Sequence, residues 1–442
     1  MKIRRIRLKN FRCFSDYDVT LGKKITILIG KNGAGKTNLV KALRNGLSFI
    51  FAEDKSREQR LGKSSDLHIA KFQLDDAFYD KRDYVYPVRI QIDASISGSE
   101  VGWELEKNSY SGKIQSQKYK DAFDKFYRIY GNSNKFPLLV YFPDSYPHAE
   151  SNVGSYAKKI LTNSERTPIN FGYYQWDSDR STFQVWMQRF KNSYFTGNDF
   201  NTEDEDENTI QRIAEIEYIN GYLRKFTAPL SAQFDFINSE FVLSAVLLKR
   251  VLEGDYRMTF KFREGGEIFY ENLPQGYKRL FSMVIEIAYR SYFLNGVNRE
   301  PEGIVIIDEI ELHLHPSLAQ EVLERLSKTF PKVQFIVTTH SPLVISNFNA
   351  DQDENRVLHL KLEGGKYSNE TLPNINGLNY ETSLYEYMNV QPRNLRLNSL
   401  LDSYNYLVKA GKKEQALIVK NEFIKITGND NFPAEENKTD NY

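Results

Sequence analysis

A single cysteine, Cys13, among 442 residues excludes a disulfide framework and any cysteine-based zinc site, and it suits a reducing compartment. Histidine is scarce too: there are six, and His313, His315 and His340 fall within 28 residues. Neither sign of charge prevails. Lys+Arg 59 against Asp+Glu 58 leaves a net +1, so no whole-chain field points to nucleic acid or anionic lipid, although a local basic patch stays open. Long apolar runs are missing: a stretch such as 241–248 (FVLSAVLL) falls far short of the ~18 residues a membrane span needs. The opening MKIRRIRLKNF alternates charge with aliphatic side chains and lacks the apolar core of a secretory signal, so a cytoplasmic protein without membrane contact is expected. No internal repeat is found. The length suits about three domains of ~150 residues, or one large domain carrying insertions.

What is present has a strongly ordered beginning. Residues 3–8 (IRRIRL) alternate as a strand, and 25–29 (ITILI) read as a strand buried on both faces. A Gly-rich loop follows, and then a helical stretch over 36–50. From 52 to about 240 polar patches and aromatics mix without a long period. There 88–96 (VRIQIDASI) alternates as a strand, 115–130 and 208–226 read as helices, and the acidic run 202–208 reads as a solvated loop. Regular patterning returns with a hairpin at 258–270 turning on Gly265-Gly266. A helix over 276–294 follows, with Leu280, Phe281, Val284, Ile287 and Ala288 on one face. Buried strands at 304–307 and 334–338 flank a helix at 317–329, which implies a largely parallel, doubly wound sheet. A weaker β segment spans 356–362. The expected domains are therefore 1–51 with 240–377, an insertion or lid at 52–239, a helical segment at 378–427 divided by Gly411, and a disordered tail at 428–442.

Three pieces carry chemistry. Gly30-Lys31-Asn32-Gly33-Ala34-Gly35-Lys36-Thr37 matches G-x-x-x-x-G-K-[ST], placed between a strand and a helix as phosphate binding requires. The glycines turn backbone N–H groups inward, Lys36 neutralises β/γ charge, and Thr37 offers a hydroxyl to Mg²⁺. In 303–309 (GIVIIDE) four aliphatic residues carry Asp308 and Glu309 to the end of a strand, where ligands bind in open α/β sheets. Asp308 is the candidate for holding Mg²⁺ through its water shell, and Glu309 for polarising the attacking water. His340, in TTHSP, ends the next strand on the same edge, where it can sense a γ-phosphate. His313 and His315 in ELHLHP lack a third nearby ligand, and Pro316 reads as a helix start, so a metal site there is disfavoured.

In order, NFRCF (10–14), GKNGAGKT (30–37), LPQGYKR (273–279), IVIIDEIELHLHP (304–316) and FIVTTHSPLVIS (335–346) resemble the ABC-type ATPases related to RecF, SMC and OLD proteins. Within them the likeness is to the AAA15 group, which includes the ATPases of Septu and retron anti-phage systems. It covers 1–51 and 255–350 well and the middle poorly. The resemblance implies an α/β fold, a P-loop ABC-type ATPase head with a mixed α/β insertion and a C-terminal helical segment. It also implies ATP and Mg²⁺ as cofactors, with Gly30, Asn32, Gly33, Gly35, Lys36, Thr37 and Asn38 at the nucleotide, Thr37 and Asp308 at the metal, and Glu309 and His340 catalytic. A homodimer or higher homo-oligomer is implied, in which Leu273-Pro274-Gln275-Gly276 of one protomer caps the γ-phosphate of the other. Pro274 replaces the usual serine of that signature and removes a hydroxyl and an N–H, so slow or conditional hydrolysis is expected. Gln73 is the candidate for the glutamine that couples nucleotide to motion. No nuclease cluster of the Toprim kind is read in the residues after Ser346, no His-Asn-His arrangement appears, and the middle span lacks SMC-like heptad runs. Cleavage, if it is the output, then falls to a partner nuclease, of HNH type. A RecF-like DNA clamp in repair, with nucleic acid as partner, and a nucleotide-sensing scaffold with negligible turnover are the alternatives.

Overall fold

The computed structural model describes residues 1–52, 67–133, 135–147, 153–162, 168–197, 207–230, 241–252, 255–346, 348–351, 353–373 and 395–427. They belong to two compact units, Met1–Leu378 and Asn379–Tyr442. In the first unit the strands begin with β1 (Lys2–Phe11), β2 (Phe14–Thr20), β3 (Ile25–Ile29), β4 (Phe78–Tyr79), β5 (Tyr84–Val85), β6 (Val88–Ile96), β7 (Ser99–Lys107) and β8 (Leu138–Phe142). They continue with β9 (Leu243–Leu252), β10 (Asp255–Phe262), β11 (Glu267–Phe269), β12 (Glu302–Ile307), β13 (Lys332–Thr338), β14 (Asn355–Glu363) and β15 (Lys366–Thr371). The helices are α1 (Lys36–Leu47), α2 (Lys120–Ser133), α3 (Ser155–Thr162), α4 (Phe183–Gly197), α5 (Glu207–Thr227), α6 (Gln275–Asn295), α7 (Pro316–Thr329) and α8 (Pro342–Ser346).

The central sheet runs β15-β14-β3-β13-β12-β8. Its strands are parallel except β15, which returns antiparallel on β14. All five residues of β3 and of β8 are buried, as parallel strands covered on both faces require. A second sheet, β2-β1-β6-β7, is antiparallel throughout. Alternate residues of β6 are buried, so one face turns inward. That face meets α1 so closely that a Cβ on Gly46 would lie 2.3 Å from Ile92, while the Trp103 indole donates to the Gly46 carbonyl at 2.8 Å. Helix α6 is buried on every side, not only along the stripe that its periodicity marks.

The middle span is woven into both sheets. β6 and β7 extend the sheet begun by β1, and β8 forms the edge of the central sheet beside β12. Reading 52–239 as a separate insertion therefore does not describe these strands: the sheets cross both of its boundaries. β7 pairs with β6 through a tight hairpin, but β6 meets β1 and β8 meets β12 across long stretches of chain, so no local period announces those pairings. In the second unit, α9 (Leu395–Lys409) and α10 (Lys413–Thr427) form a helical hairpin whose turn places Gly411 at φ +73°. The tail 428–442, residues 378–394 and most of the acidic run 202–208 lie outside the described residues. No helix among the described residues is long and apolar enough to cross a membrane.

Gln334 joins the two sheets. The register of β1 shifts between Ile3 and Arg5, and Gln334, fully buried on β13, meets the backbone there. Its Oε1 accepts from the Ile3 N–H at 2.7 Å, and its Nε2 donates to the Ile3 and Gly22 carbonyls, each at 2.7 Å. Gln334→Ala strips partners from three buried backbone groups, each worth ~1 kcal/mol or more, and should lower unfolding free energy by about 2–4 kcal/mol. Urea denaturation measures this, and an unchanged midpoint would refute the role.

Candidate functional site

The glycine-rich loop leaves β3 at Ile29 and enters α1 at Lys36. Two glycines are dictated by space. A Cβ on Gly30 would lie 2.4 Å from the Leu360 carbonyl oxygen of β14, and one on Gly35 would lie 2.7 Å from the Phe14 ring. Gly35 also takes φ +94° as the N-cap of α1, a left-handed conformation that costs glycine nothing. The Lys36 ammonium donates to the Gly30 carbonyl at 2.7 Å and to the Lys31 carbonyl at 3.3 Å, so it sits over the loop. Burial lowers its pKa, and the charges of Asp308, Glu309 and Glu311 act against that. The positive end of the α1 dipole adds to the anion-attracting character.

Parallel register brings the carboxylates to this loop. Ile307 of β12 pairs with Val337 of β13, and Thr338 of β13 pairs with Leu28 of β3. Asp308, at the end of β12, is 8% exposed and accepts a short hydrogen bond from the Thr338 hydroxyl. Glu309 adopts φ +48° and donates its N–H to the same hydroxyl oxygen at 2.8 Å. That left-handed conformation costs a non-glycine residue about 1–2 kcal/mol, so its surroundings must hold it. Burial raises the pKa of Asp308, and the hydrogen bond from Thr338 opposes the rise. Burial likewise raises that of Glu309, opposed by His340 and reinforced by Asp308, Glu311 and Asp144.

Asn32, Gly33, Gly35, Lys36, Thr37, Asn38, Asp308, Glu309 and His340 line one cleft of about 290 Å³, and Thr338 joins them. Gly30 and Gly276 are outside that lining. Gly30 begins the loop packed against Leu360 of β14, whereas Gly276 lies in the first turn of α6, where a Cβ would come within 2.7 Å of the His313 carbonyl oxygen. The Asn38 amide is held at the rim: it donates to Cys13 Sγ at 3.0 Å and accepts from Arg12 at 2.9 Å. Gln73 is exposed, donates to the Lys71 carbonyl at 3.3 Å and does not line the cleft. His315 caps α7 through Ser317, whose N–H reaches His315 Nδ1 at 3.4 Å.

Sequence reasoning passed over three residues here. Glu311 accepts from the His340 N–H and from the Thr339 hydroxyl, each at 2.7 Å, and so fixes the loop that carries His340. Asp144 follows β8, whose Phe142 carbonyl accepts the Asp308 N–H at 2.8 Å, and its charge acts on Asp308 and Glu309. Its signal was available: LLVYFPD (138–144) repeats the form of GIVIIDE, an apolar run ending in an acid. Arg279 is wholly buried, and its Nη2 donates to the carbonyls of Asp308 at 2.8 Å and Glu309 at 3.0 Å. Its Nη1 donates to the Asp144 carbonyl at 3.0 Å and to that of Tyr146. Burial lowers the Arg279 pKa to about 10, a value at which it still carries its charge at neutral pH.

The donor set fits Mg²⁺. The Thr37 hydroxyl and the Asp308 carboxylate share the cleft. No group of three or more His, Cys, Asp or Glu among the described residues could hold a metal by itself. Mg²⁺ takes just this arrangement, one or two protein oxygens with water and phosphate completing the shell.

A phosphate-binding loop at a helix N-terminus, facing an Asp-Glu pair across adjoining parallel strands, defines a P-loop α/β protein. The model of the family described as AAA_15, AAA ATPase domain, matches residues 1–345, and the chain belongs to that family. Retron Vc95 probable ATPase of Vibrio cholerae serotype O1 biovar El Tor is 27% identical over 388 residues, covering 80% of this chain and 73% of that protein. Retron Ec83 probable ATPase of Escherichia coli is 25% identical over 389 residues, covering 78% and 69%. Septu protein PtuA of Bacillus mycoides (strain KBAB4) is 35% identical over 141 residues, 31% of this chain and 19% of that protein. The likeness to the AAA15 group with its retron and Septu ATPases, drawn from the motifs, holds, and that to RecF and OLD proteins holds over stretches of 71 and 41 residues.

Lys36→Ala should weaken ATP binding at least tenfold, because the loop loses its fixed positive charge. Titration with a fluorescent ATP analogue and Mg²⁺ measures it. An unchanged Kd would mean that this loop does not bind nucleotide.

Proposed function

We propose that the chain is a cytoplasmic ATPase that binds ATP with Mg²⁺ in this cleft, dimerises around it, and gates a partner effector, an HNH-type nuclease, in anti-phage defence. The observation that carries the dimer is the position of Gly276. The cleft holds the phosphate loop, Asp308, Glu309 and His340, while the first turn of α6 lies outside its lining. Helix α6 begins at Gln275 with Pro274 as its N-cap and no side-chain cap, so its positive end can face the nucleotide of a second copy. The likeness to retron and Septu proteins supports the defence role.

In this reading Lys36 exchanges its loop carbonyls for β/γ-phosphate oxygens, and Thr37 with Asp308 holds the metal. Bound there, Mg²⁺ neutralises phosphate charge. Glu309 accepts a proton as water oxygen attacks the γ-phosphorus and the bond to the ADP oxygen breaks. His340 lies where it senses the γ-phosphate, with its loop fixed by Glu311. Pro274 offers neither hydroxyl nor N–H, which makes turnover slow.

A RecF-like nucleic-acid clamp is the second reading. Against it, most cations on the outer face of the β1–β6 sheet are matched: Arg5 pairs with Asp18, Arg7 with Asp93 at 2.8 Å, and Arg89 with Glu106, which leaves Lys9 exposed beside them. Among the described residues that face presents mostly paired charge, a weak footprint for a phosphate backbone.

Glu309→Gln should keep ATP affinity and lower turnover at least 100-fold, since the amide is nearly isosteric but a far weaker base. A phosphate-release assay at the wild-type rate would remove Glu309 from catalysis, and defence retained by that variant would favour a non-hydrolysing scaffold. For the dimer, Lys36→Ala and Gly276→Asp protomers, each inactive alone, should regain about one working site per heterodimer when mixed. Verified mixing without recovery would sink the composite site.

A further inference from the structure

The motif reading used the first turn of α6 but gave no task to the arginine one turn further along. The Glu309 peptide is clamped from two sides: Thr338 Oγ1 accepts its N–H at 2.8 Å, and Arg279 Nη2 donates to its carbonyl at 3.0 Å. Between them these bonds hold the backbone at φ +48°, a region that side-chain-bearing residues avoid. The other prong of the fork, Nη1, grips the Asp144 and Tyr146 carbonyls beyond β8. One planar group therefore locks together the outgoing loops of two adjacent parallel strands, β8 and β12. Only a guanidinium supplies donors in that fixed fork, since an ammonium is a single point that cannot reach both loops at once.

We propose that Arg279 is a positioning residue for ATP hydrolysis: it fixes the backbone from which Asp308 and Glu309 project, and so decides whether Glu309 reaches the attacking water. Its hold is itself anchored. The Tyr146 hydroxyl donates to Glu286 Oε2 at 3.0 Å, and Glu286 Oε1 accepts from Arg290 at 2.7 Å and from the Thr182 hydroxyl at 2.6 Å. The grip on Asp308 and Glu309 is thereby tied to α4 and to the turns before it, where Arg290 also donates to the Gly172 and Tyr174 carbonyls. Arg279 never touches the phosphates in this assignment; its action is on geometry.

The test uses the full chain and two readouts, Kd for a fluorescent ATP analogue with Mg²⁺ and kcat from phosphate release. Arg279→Met should lower kcat about 10- to 100-fold with Kd within about threefold of wild type, the range seen when groups that orient a site are removed. Arg279→Lys, which keeps charge but not the fork, should fall between. Tyr173→Phe is the control: it deletes a buried hydroxyl that donates to the Pro137 carbonyl at 2.6 Å and makes none of the hydrogen bonds of the clamp. It should lower the melting temperature without splitting kcat from Kd. If kcat falls and Kd rises together in both Arg279 variants, the residue is only a structural anchor and the proposal is wrong. Should Arg279→Met not fold, Arg279→Lys decides alone: reduced kcat with retained Kd supports the assignment, and wild-type kcat overturns it. The inference rests on Glu309 being the base. A Glu309→Gln protein with full turnover removes that footing, whereas a dead Glu309→Gln beside a fully active Arg279→Lys defeats the positioning alone.

Discussion

Parallel pairing of β3, β13 and β12 is the constraint on which the site depends. With Thr338 opposite Leu28 and Val337 opposite Ile307, the three strands end at one edge. Each then delivers a different group: the phosphate loop, the His340 loop and the Asp308-Glu309 pair. A shift of one residue in any pairing would turn every side chain of that strand to the opposite face. Close packing on both faces of β3 and β8 opposes such slippage, because each side chain would have to fit a space shaped for its neighbour. Precision at the cleft is thus a by-product of apolar packing well below it.

Much of this edge was legible because each chemical group sits directly after its own strand. An apolar run followed by glycines, by Asp-Glu, or by Thr-Thr-His is a local pattern, and local patterns survive in a one-dimensional reading. Strand β8 shows where such reading stops. Its run LLVYF is as apolar as β12, but it lies in a stretch of mixed character, and its partner β12 is more than 160 residues away. β6 was visible as an alternating strand, yet its pairing with β1 was not. Helix α4 escaped for another reason. It buries Arg189 and Ser193 beside Trp186 and Phe190, so polar residues occupy positions where an amphipathic pattern needs apolar ones.

Arg279 was illegible for a deeper reason. Its partners are main-chain carbonyls, and a carbonyl acceptor leaves no trace in residue identity. What could have been read is only that an arginine directly precedes the apolar Leu280-Phe281 of α6, where a cation must find acceptors or not be buried at all. The same holds for Gln334, whose partners are the backbones of Ile3 and Gly22. Side chains that satisfy backbone groups across long sequence distances join the sheets and loops here, and sequence patterning is blind to them.

The remaining buried charges explain how Arg279 comes to point where it does. Glu286 and Arg290 lie on α6 itself, nearly without exposure, four residues apart and joined at 2.7 Å. Against apolar residues of equal volume a buried pair of this kind roughly breaks even in stability. Its orientation requirement is much stricter. Glu286 must meet the Tyr146 and Thr182 hydroxyls while Arg290 meets the Gly172 and Tyr174 carbonyls, and only one rotation of α6 about its axis satisfies all four. Arg279 lies seven residues before Glu286, two helical turns away and therefore on nearly the same face. The rotation that satisfies the buried pair is then the rotation that aims Arg279 at the loops beyond β8 and β12. An ion pair that adds little to stability sets the azimuth of the helix, and the azimuth sets the backbone beneath Glu309.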